Sequence, residues 1–278
     1  MVVPEWLQAL YQHEIKGRAA TDPRSVPGTW LGVPGDRVYG EVIDFGQADF
    51  DRPVELQVGA QRVRLEPADR ALLYAVYNQG RHLEELSYAL SQLLESKDPP
   101  ARTTLLDIGC GPATAGLAMA GALGNAIPFR YFGVDRSRAM RELGEHLMRT
   151  ARTGGALHPG TKHWFGESPD RAPCGPIRGE LCVVALSYLF ASGSLDEAAL
   201  AEDLIGTLAR IDKGDKAILY TNSADDRANQ KFPTFQRRLE LAGFEVLTDK
   251  ITVFTQTTKQ PKKIRYALFF RPADLSLC

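Results

Sequence analysis

The sequence has few features of a membrane, extracellular or metal-binding protein. No apolar run approaches the ~20 residues that a membrane-spanning helix needs. Its four cysteines, Cys110, Cys174, Cys182 and Cys278, show no Cys-x-x-Cys spacing, which disfavours both a zinc site and a disulfide framework. The first residues lack the basic and apolar regions of a secretory signal, and Cys278 is not placed four residues from the end, as prenylation requires. We therefore expect a cytoplasmic protein with reduced thiols and no bound metal.

An excess of charge of one sign is also missing. The 33 basic and 34 acidic residues give a net charge of −1, so no overall field steers the protein towards nucleic acid or an anionic membrane. Hydrophobic residues make up 44% of the 278 positions, which is enough for a sizeable core. This length fits one large domain, or a core of roughly 200 residues with an appendage.

The most informative stretch is residues 105–114, which have the sequence LLDIGCGPAT. The apolar residues at its start suit a buried strand, and Asp107 stands just before a turn. Gly109 and Gly111 allow that turn to be tight and let a ligand approach the backbone closely. The small residues at 113–122 then predict a helix that begins over the turn.

A second strand follows at residues 131–134 and ends on Asp135, where a ribose would need a carboxylate to accept both of its hydroxyls. A strand, glycine turn, helix, strand and acid in this order are typical of units that bind adenosine-containing ligands. In a dinucleotide-binding turn, a third glycine would occupy the position of Thr114, because the pyrophosphate lies on the helix N-terminus. Asp107 would repel a pyrophosphate, but it would attract a ligand that carries an ammonium and a sulfonium.

At this point the chain resembles the class I S-adenosylmethionine-dependent methyltransferases. Residues 107–112, DIGCGP, are similar to the first motif of that family, and Asp135 matches the acid that ends its second strand. The resemblance implies that Asp107 holds the methionine ammonium, directly or through water. A cap of the following helix is the alternative role of Asp107. The resemblance also implies that Asp135 accepts both ribose hydroxyls.

Further cofactor contacts are implied by the same resemblance. Three residues of the turn are expected to lie against the methionine and ribose: Gly109, Cys110 and Gly111. In relatives a polar residue after the third strand often meets the adenine, and here that residue would be Glu167 or Ser168, although the usual Gly-Asp is missing. Arg136 borders the adenine in one interpretation and starts a solvated helix in the other.

The loop after the fourth predicted strand carries the acceptor-facing residues in this superfamily, and here it begins with Ser187 and Tyr188. Both are candidate catalytic residues, and Ser187 is also expected to contact the cofactor. Tyr188 either orients the acceptor through its hydroxyl or is a core aromatic residue that closes the top of the sheet. His158 and His163 are candidate bases, although a lone histidine is more typical of a structural or solvated position. Because methyl transfer from a sulfonium is an in-line displacement, orientation alone can supply much of the catalysis.

Two kinds of acceptor are disfavoured. The loop at 187–190 lacks the Asp/Asn-Pro-Pro-aromatic motif that orients the exocyclic amine of a base. No cysteine stands in a Pro-Cys or Thr-Cys context at the fourth or fifth strand, which disfavours cysteine-dependent methylation of a pyrimidine carbon.

The alternation of strands and helices, together with the resemblance, predicts an α/β, Rossmann-like fold. We expect a doubly wound, mostly parallel seven-stranded sheet with a C-terminal β-hairpin. The predicted strands cover residues 103–108, 130–134, 162–166, 180–186 and 216–220, and the hairpin follows at 244–247, 251–254 and 263–271. The predicted helices cover residues 113–123, 137–151 and 195–211, with a capping box at 194–197, and one further helix is capped by Gly243.

The first part of the chain stands apart from this alternation. Residues 1–66 are predicted to be an accessory or lid segment, and residues 67–278 the methyltransferase core with its lead-in helices. Within the segment, residues 20–36 have the prolines and glycines of a loop, and residues 54–65 alternate as a hairpin does. The lead-in helical pattern is interrupted at Gly80. We expect the segment to lie over the carboxyl ends of the strands, where ligands bind in open α/β sheets, and a structural brace is the alternative.

A basic cluster in the final hairpin suggests a weak contact with RNA, or else a solvated hairpin tip: Lys259, Lys262, Lys263 and Arg265. The expected function is methyl transfer from S-adenosylmethionine to an unidentified acceptor, a small molecule rather than RNA or protein. The alternative is a non-catalytic S-adenosylmethionine-binding partner or regulatory module with the same fold. Thr114, Asp107 and the internal position of the motif disfavour a nicotinamide dehydrogenase.

Overall fold

A computed structural model describes residues 3–25, 33, 49–58, 60–95, 103–173, 181–211, 214–255, 257 and 260–273, and all structural statements concern these residues. The helices are α1 (Glu5–Tyr11), α2 (Arg18–Thr21), α3 (Pro67–Tyr74), α4 (Gly80–Glu95), α5 (Thr114–Leu123), α6 (Arg138–Thr153), α7 (Glu197–Ile211) and α8 (Phe232–Leu241). The strands are β1 (Val54–Val58), β2 (Gln61–Leu65), β3 (Thr103–Ile108), β4 (Phe129–Val134), β5 (Lys162–Gly166), β6 (Leu181–Ser187), β7 (Asp215–Ser223), β8 (Glu245–Phe254) and β9 (Lys262–Arg271).

Seven of these strands form one sheet in the order β5-β4-β3-β6-β7-β9-β8. The pairs among β3 to β7 are parallel, whereas β9 is antiparallel to both β7 and β8. The prediction of a doubly wound, mostly parallel sheet with a C-terminal hairpin is therefore confirmed. The hairpin segments expected at 244–247 and 251–254 are parts of the single strand β8, which has a register shift between Val246 and Thr248.

The sheet order has a switch point beside β3, which lies between β4 and β6. From β3 the chain builds outwards through β4 and β5, and it then returns to the other side of β3 to add β6 and β7. In open α/β sheets the crevice at the carboxyl ends of such neighbouring strands is the usual ligand site. The topology thus places the end of β3, where the glycine turn begins, at the position most favourable for binding.

Both faces of the central strands are buried, as expected for parallel strands with helices on each side. Every residue of β3 is buried, and alternate residues face two separate cores. Leu105 packs in the core beneath α3 to α6, whereas Leu106 packs in the core beneath α7 and α8. No helix in the described ranges is long and apolar enough to cross a membrane. In the same ranges, no group of three or more His, Cys, Asp or Glu residues is placed to hold a metal ion.

The lead-in helix runs from α3 through a π-helical turn at Ala75–Gln79 into α4. Gly80, which interrupts the sequence pattern, is the first residue of α4 and does not break the helix. Its lack of a side chain serves packing instead, because a Cβ atom there would lie 3.1 Å from the ring of Tyr11. The hydroxyl of Tyr11 donates to the carbonyl oxygen of Val76 at 3.0 Å, so the N-terminal helix is held against the lead-in helix.

The N-terminal segment makes two kinds of contact. Its helical part packs through Leu7, Leu10 and Ile15 against the helices on one face of the sheet, including Leu117 of α5 and Leu147 of α6. Residues 49–53, in contrast, reach the start of α6. The hairpin predicted at 54–65 is confirmed as the antiparallel pair of β1 and β2. Most of the proline- and glycine-rich loop at 20–36 lies outside the described residues, and the division of the chain at residue 66 stays a prediction.

Of the two helix caps predicted from the sequence, one is wrong and one is confirmed. The capping box at 194–197 is wrong, because α7 begins at Glu197 and Asp196 Oδ1 accepts from the N–H groups of Ala198 and Ala199. The carboxylate satisfies these groups directly and leaves the Ser194 hydroxyl outside the helix. The Gly243 cap is confirmed: its φ is +83°, its N–H donates to Glu240, and Phe244 N–H donates to Leu239.

Candidate functional site

The turn after β3 has a tight left-handed path. Gly109 and Gly111 have φ values of +70° and +49°, a region that glycine enters at little cost. Ala113 also has a positive φ, +61°, and it leads directly into α5. The N–H groups of Gly109 and Cys110 both donate to the carbonyl oxygen of Val134, at 2.8 and 3.0 Å. The turn is therefore tied to the end of β4, beside Asp135.

A cleft opens above this turn. Its lining residues are Tyr74, His82, Leu86, Asp107, Gly109, Cys110, Gly111, Pro112, Thr114, Ala115 and Ser187. Five of the residues predicted from the sequence thus meet in one cleft: Asp107, Gly109, Cys110, Gly111 and Ser187. Burial raises the pKa of the Cys110 thiol, so this residue is a neutral wall of the cleft.

Asp107 is buried at the carboxyl end of β3. Its Oδ2 accepts from the hydroxyl of Tyr131 at 2.9 Å, and its carboxyl also accepts from the backbone N–H of Ala115 in the first turn of α5. Burial raises the pKa of Asp107 to about 7, against the opposing effect of the Tyr131 hydrogen bond. The approach of Tyr131 depends on Gly116, where a Cβ atom would lie 2.7 Å from the ring.

Asp135 follows β4 and lies across the turn from Asp107. Its Oδ2 accepts from the N–H of Gly111 and its Oδ1 from the N–H of Ser137, both at 2.9 Å. Burial raises its pKa, although these two hydrogen bonds act in the opposite direction. An ionised carboxylate has about four lone-pair positions, so Asp135 keeps capacity to accept hydrogen bonds from a ligand.

None of the three residues predicted near an adenine, Arg136, Glu167 and Ser168, is among those that line the cleft. Arg136 is exposed, and its Nη1 is 3.5 Å from the hydroxyl oxygen of Ser194. Glu167 is exposed after β5, and its Oε1 accepts from Arg141 Nη2 at 3.2 Å. Arg141 also donates to the carbonyl oxygens of Asp135 and Arg136, so it links the loops after β4 and β5. The sequence pattern did not indicate Arg141, because it is one of several arginines on α6.

Asp51 is a second residue that the sequence did not indicate. Its carboxylate accepts from Ser137 Oγ at 2.9 Å and from the N–H groups of Arg138 and Ala139 at 2.7 and 2.9 Å. Burial acts to raise the pKa of Asp51, but these hydrogen bonds outweigh it and the pKa is lowered. The neighbouring Phe50 packs edge-on against Tyr74 of the cleft, with ring centroids 5.8 Å apart. Residues 50–51 therefore connect the N-terminal segment to Tyr74 of the cleft and to the start of α6.

Ser187 and Tyr188 lie at the end of β6, where the prediction placed them. Ser187 Oγ accepts from Thr221 Oγ1 at 2.9 Å. Tyr188 has a left-handed backbone, with a φ of +57°, and its N–H donates to the carbonyl oxygen of Thr221 at 2.9 Å. Its hydroxyl donates to Oε2 of Glu85 at 2.9 Å, and its ring stacks on His82 with centroids 4.0 Å apart.

His82 and Glu85 were missed because they stand on the lead-in helix, far from the motif in sequence. The signal available was a charged residue within the buried stripe of that helix, next to Leu86. Of the histidines considered as bases, neither is among the residues that line the cleft. His158 Nδ1 accepts from Gly160 N–H in a turn, and burial lowers the pKa of His163 on β5.

The basic cluster is divided by the fold. Lys262 Nζ lies 5.0 Å from the centroid of the Tyr188 ring and 3.4 Å from its hydroxyl, so this lysine faces inwards. Arg265 makes two hydrogen bonds with Asp249, at 2.9 and 2.7 Å. Lys263 is exposed, and Lys259 lies outside the described residues. Contact with RNA through these residues stays a prediction.

Solved structures of S-adenosylmethionine-dependent methyltransferases match this Rossmann-like, seven-stranded mixed sheet. The magnesium protoporphyrin IX methyltransferase of Synechocystis PCC 6803 is 13% identical, with a TM-score of 0.45 over 85% of this chain and 88% of its own. A methyltransferase from Leishmania major is 12% identical, with a TM-score of 0.45 over 71% and 77% of the two chains.

The pyocyanin biosynthetic protein PhzM is 16% identical, with a TM-score of 0.46 over 74% of this chain and 58% of its own. At these identities the likeness concerns the fold alone. No protein-family model matches the sequence, and the comparison with curated proteins finds no relative.

Proposed function

We propose that the protein is a cytoplasmic enzyme that transfers a methyl group from S-adenosylmethionine to an acceptor, a small molecule rather than RNA or protein. One observation carries the proposal. Two acids, the buried Asp107 and the partly buried Asp135, stand at the ends of neighbouring parallel strands and flank a left-handed glycine turn at the switch point of the sheet. A turn that binds pyrophosphate gains from positive potential, and a pair of acids supplies the opposite.

The residues present fit this cofactor. Burial disfavours the charged form of Asp107, and a ligand ammonium beside it would restore that form, so the site gains free energy from a cation. Asp135 has remaining lone pairs that can accept from ribose hydroxyls. The backbone of Gly109, Cys110 and Gly111 lies between Asp107 and Asp135. Glu167 and Arg136 are proposed to border the adenine.

When bound, S-adenosylmethionine supplies a methyl group on a sulfonium, which is an electrophile that needs no further activation. The chain contributes orientation and exclusion of water. Tyr74 and His82 form a wall of the cleft, and Phe50 packs behind Tyr74. Ser187 also lines the cleft, at the end of β6, where an acceptor would enter. A cleft with aromatic rings in its wall suits a small acceptor better than an extended one.

The test is transfer of a labelled methyl group from S-adenosylmethionine to an extract of the source cells, separated into small molecules, RNA and protein. The proposal expects label in the small-molecule fraction. Label in RNA or protein would contradict the proposed acceptor class. Binding of S-adenosylmethionine without transfer to any fraction would contradict the enzyme and favour a non-catalytic binding module.

A further inference from the structure

Four polar side chains from three separate parts of the chain meet beside the cleft. His82 and Glu85 come from α4, Tyr188 follows β6, and Lys262 begins β9. We call these residues the Tyr188 cluster. The Tyr188 hydroxyl is at its centre, because it donates to Glu85 Oε2 at 2.9 Å and lies 3.4 Å from Lys262 Nζ. His82 stacks on the Tyr188 ring and also lines the cleft, so the cluster adjoins the proposed cofactor site.

Glu85 is the unusual member of the Tyr188 cluster. Only 1% of its surface is exposed, and its second carboxyl oxygen, Oε1, has no hydrogen-bond partner among the described residues. A buried carboxyl with an unsatisfied oxygen costs free energy, so a stabilising role does not explain it. The carboxylate of Glu85 can therefore accept a proton.

Burial and the charges around Glu85 together place its pKa in the neutral range. Burial raises the pKa of Glu85 to about 7, while the Tyr188 hydrogen bond and the positive charges of Lys262 and Arg81 oppose this effect. The negative charge of Glu84 on the same helix adds to it. Burial lowers the pKa of Lys262, although Glu85 acts to raise it. A general base is most effective when its pKa is near the working pH.

Tyr188 is held in a conformation that points to function. Its φ of +57° is uncommon for a large residue and costs free energy that the surrounding structure must supply. The N–H hydrogen bond to Thr221 fixes this backbone next to Ser187, which lines the cleft. The strained backbone thus aims the hydroxyl of Tyr188 at Glu85, beside the place where an acceptor would lie.

We propose that Tyr188 and Glu85 form a proton relay for a hydroxyl acceptor, with Lys262 stabilising the negative charge of the relay. This inference rests on the proposed methyl transfer. Tyr188 is the residue that touches the acceptor, whereas Glu85 is a positioning residue that acts through it. His82 holds the tyrosine ring in place.

The acceptor oxygen forms a bond to the methyl carbon as the carbon–sulfur bond breaks and its electron pair stays on sulfur. The proton of the acceptor hydroxyl passes to Tyr188 Oη, and the proton of Tyr188 passes to Glu85 Oε2. Glu85 ends the step protonated and returns the proton to solvent when the product leaves.

A buried relay favours a hydroxyl over an amine as the acceptor. A neutral amine has a free lone pair and is nucleophilic without a base. A hydroxyl becomes a strong nucleophile only as it loses its proton, so a proton acceptor within reach is useful for oxygen methylation. The product is therefore expected to be an O-methyl compound.

The first test needs no cofactor. In the full chain with ¹³C-labelled glutamate carboxyls, the Glu85 signal is the one missing from Glu85→Gln. It should titrate at about pH 7, and Tyr188→Phe should move that titration to higher pH, because the lost hydrogen bond favoured the charged form. A signal that titrates at about 4.3, as in an exposed glutamate, would overturn the relay.

The second test is methyl transfer to the cell extract at saturating S-adenosylmethionine, measured across pH. Removal of general-base catalysis typically costs about 10²–10⁴-fold, and we expect a loss in this range for Glu85→Gln and Tyr188→Phe. The wild-type rate should rise through about pH 7 as Glu85 ionises, and Glu85→Gln should lose this rise. Glu85→Asp should recover part of it.

Tyr88→Phe is the matched control, because it removes the same hydroxyl from a tyrosine of α4 whose ring packs against Phe254. It should keep the wild-type rate and pH profile. Transfer by the wild type with an unchanged rate and profile in Glu85→Gln would overturn the relay alone. An N-methyl product would overturn the hydroxyl acceptor. Failure of the wild type to transfer label at all would overturn the proposed function and the relay together.

Discussion

The proposed cofactor half and acceptor half of the site are assembled in different ways. The cofactor half takes Asp107, the glycine turn and Asp135 from one strand–helix–strand unit, and backbone hydrogen bonds within that unit hold them together. The acceptor half brings Glu85 to Tyr188 across 103 positions of sequence, and Lys262 to Tyr188 across 74.

This difference decides which half of the site can be recognised from the sequence. A local unit can be recognised from its own residues, whereas side chains that meet only through the tertiary fold leave little trace in the sequence. We therefore expect substitutions in the cofactor half to change cofactor affinity, and those in the acceptor half to change turnover.

Asp135→Ala should give the largest loss of cofactor affinity, about 1.5–3 kcal/mol, which is the range for hydrogen bonds to charged groups. The reason is that both ribose hydroxyls would lose their acceptor. Calorimetric titration with S-adenosylmethionine measures the change, and Asp203→Ala on the exposed surface of α7 is the control. An unchanged affinity in a folded Asp135→Ala protein would show that Asp135 is an ordinary loop acid.

Asp107→Asn should weaken cofactor binding and yet raise the melting temperature of the protein without ligand. Between about pH 4, the unfolded-state pKa, and about pH 7, the folded protein binds more protons at Asp107 than the unfolded chain does. The free energy of unfolding of the wild type therefore falls as pH rises through that window. The Asp107→Asn protein does not lose this stability, because its amide does not titrate. A lower melting temperature for Asp107→Asn at pH 8, with cofactor affinity kept, would assign Asp107 to helix capping instead.

Asp51→Ala should have a smaller effect, about 0.5–2 kcal/mol of stability, because it removes a cap from the first turn of α6. It tests whether the N-terminal segment belongs to the cofactor half. If residues 49–53 hold the start of α6 beside Asp135, cofactor affinity should fall as well. Thermal melting and titration on the same protein measure both, and Glu55→Ala on the exposed face of β1 is the control. A loss of stability with unchanged affinity would make the segment a brace.

Lys263→Ala should have the smallest effect, within about 0.5 kcal/mol for both stability and cofactor affinity, since its side chain is exposed. Lys263→Ala tests contact with RNA. Lys263 is the described member of the basic cluster that faces solvent, because Lys262 faces the Tyr188 cluster and Arg265 is paired with Asp249. Methyl transfer to the RNA fraction of the extract is the measurement. A strong loss confined to that fraction would restore the basic cluster as an RNA contact.

More of the fold than of the site could be predicted from the sequence. Periodicity and turn residues placed β3 and β5 at their observed bounds, and Gly243 marked a helix end, because these features depend on neighbouring residues. The cap of α7 failed for a local reason: Asp196 competes with Ser194 for the same N–H groups. Glu85 and Asp51 could not be predicted, since their partners are 103 and 86 or more positions away.

The most direct test of the account is the ligand preference of the wild-type protein. Calorimetric titration with S-adenosylmethionine, its demethylated product and NAD compares a cationic ligand, a related ligand without the sulfonium, and a dinucleotide with a pyrophosphate. Asp107 and Asp135 predict clear binding of S-adenosylmethionine and its product, and far weaker binding of NAD. The affinity for S-adenosylmethionine should fall below about pH 7 as Asp107 takes up a proton. A preference for NAD, or no binding of S-adenosylmethionine at any pH, would contradict it.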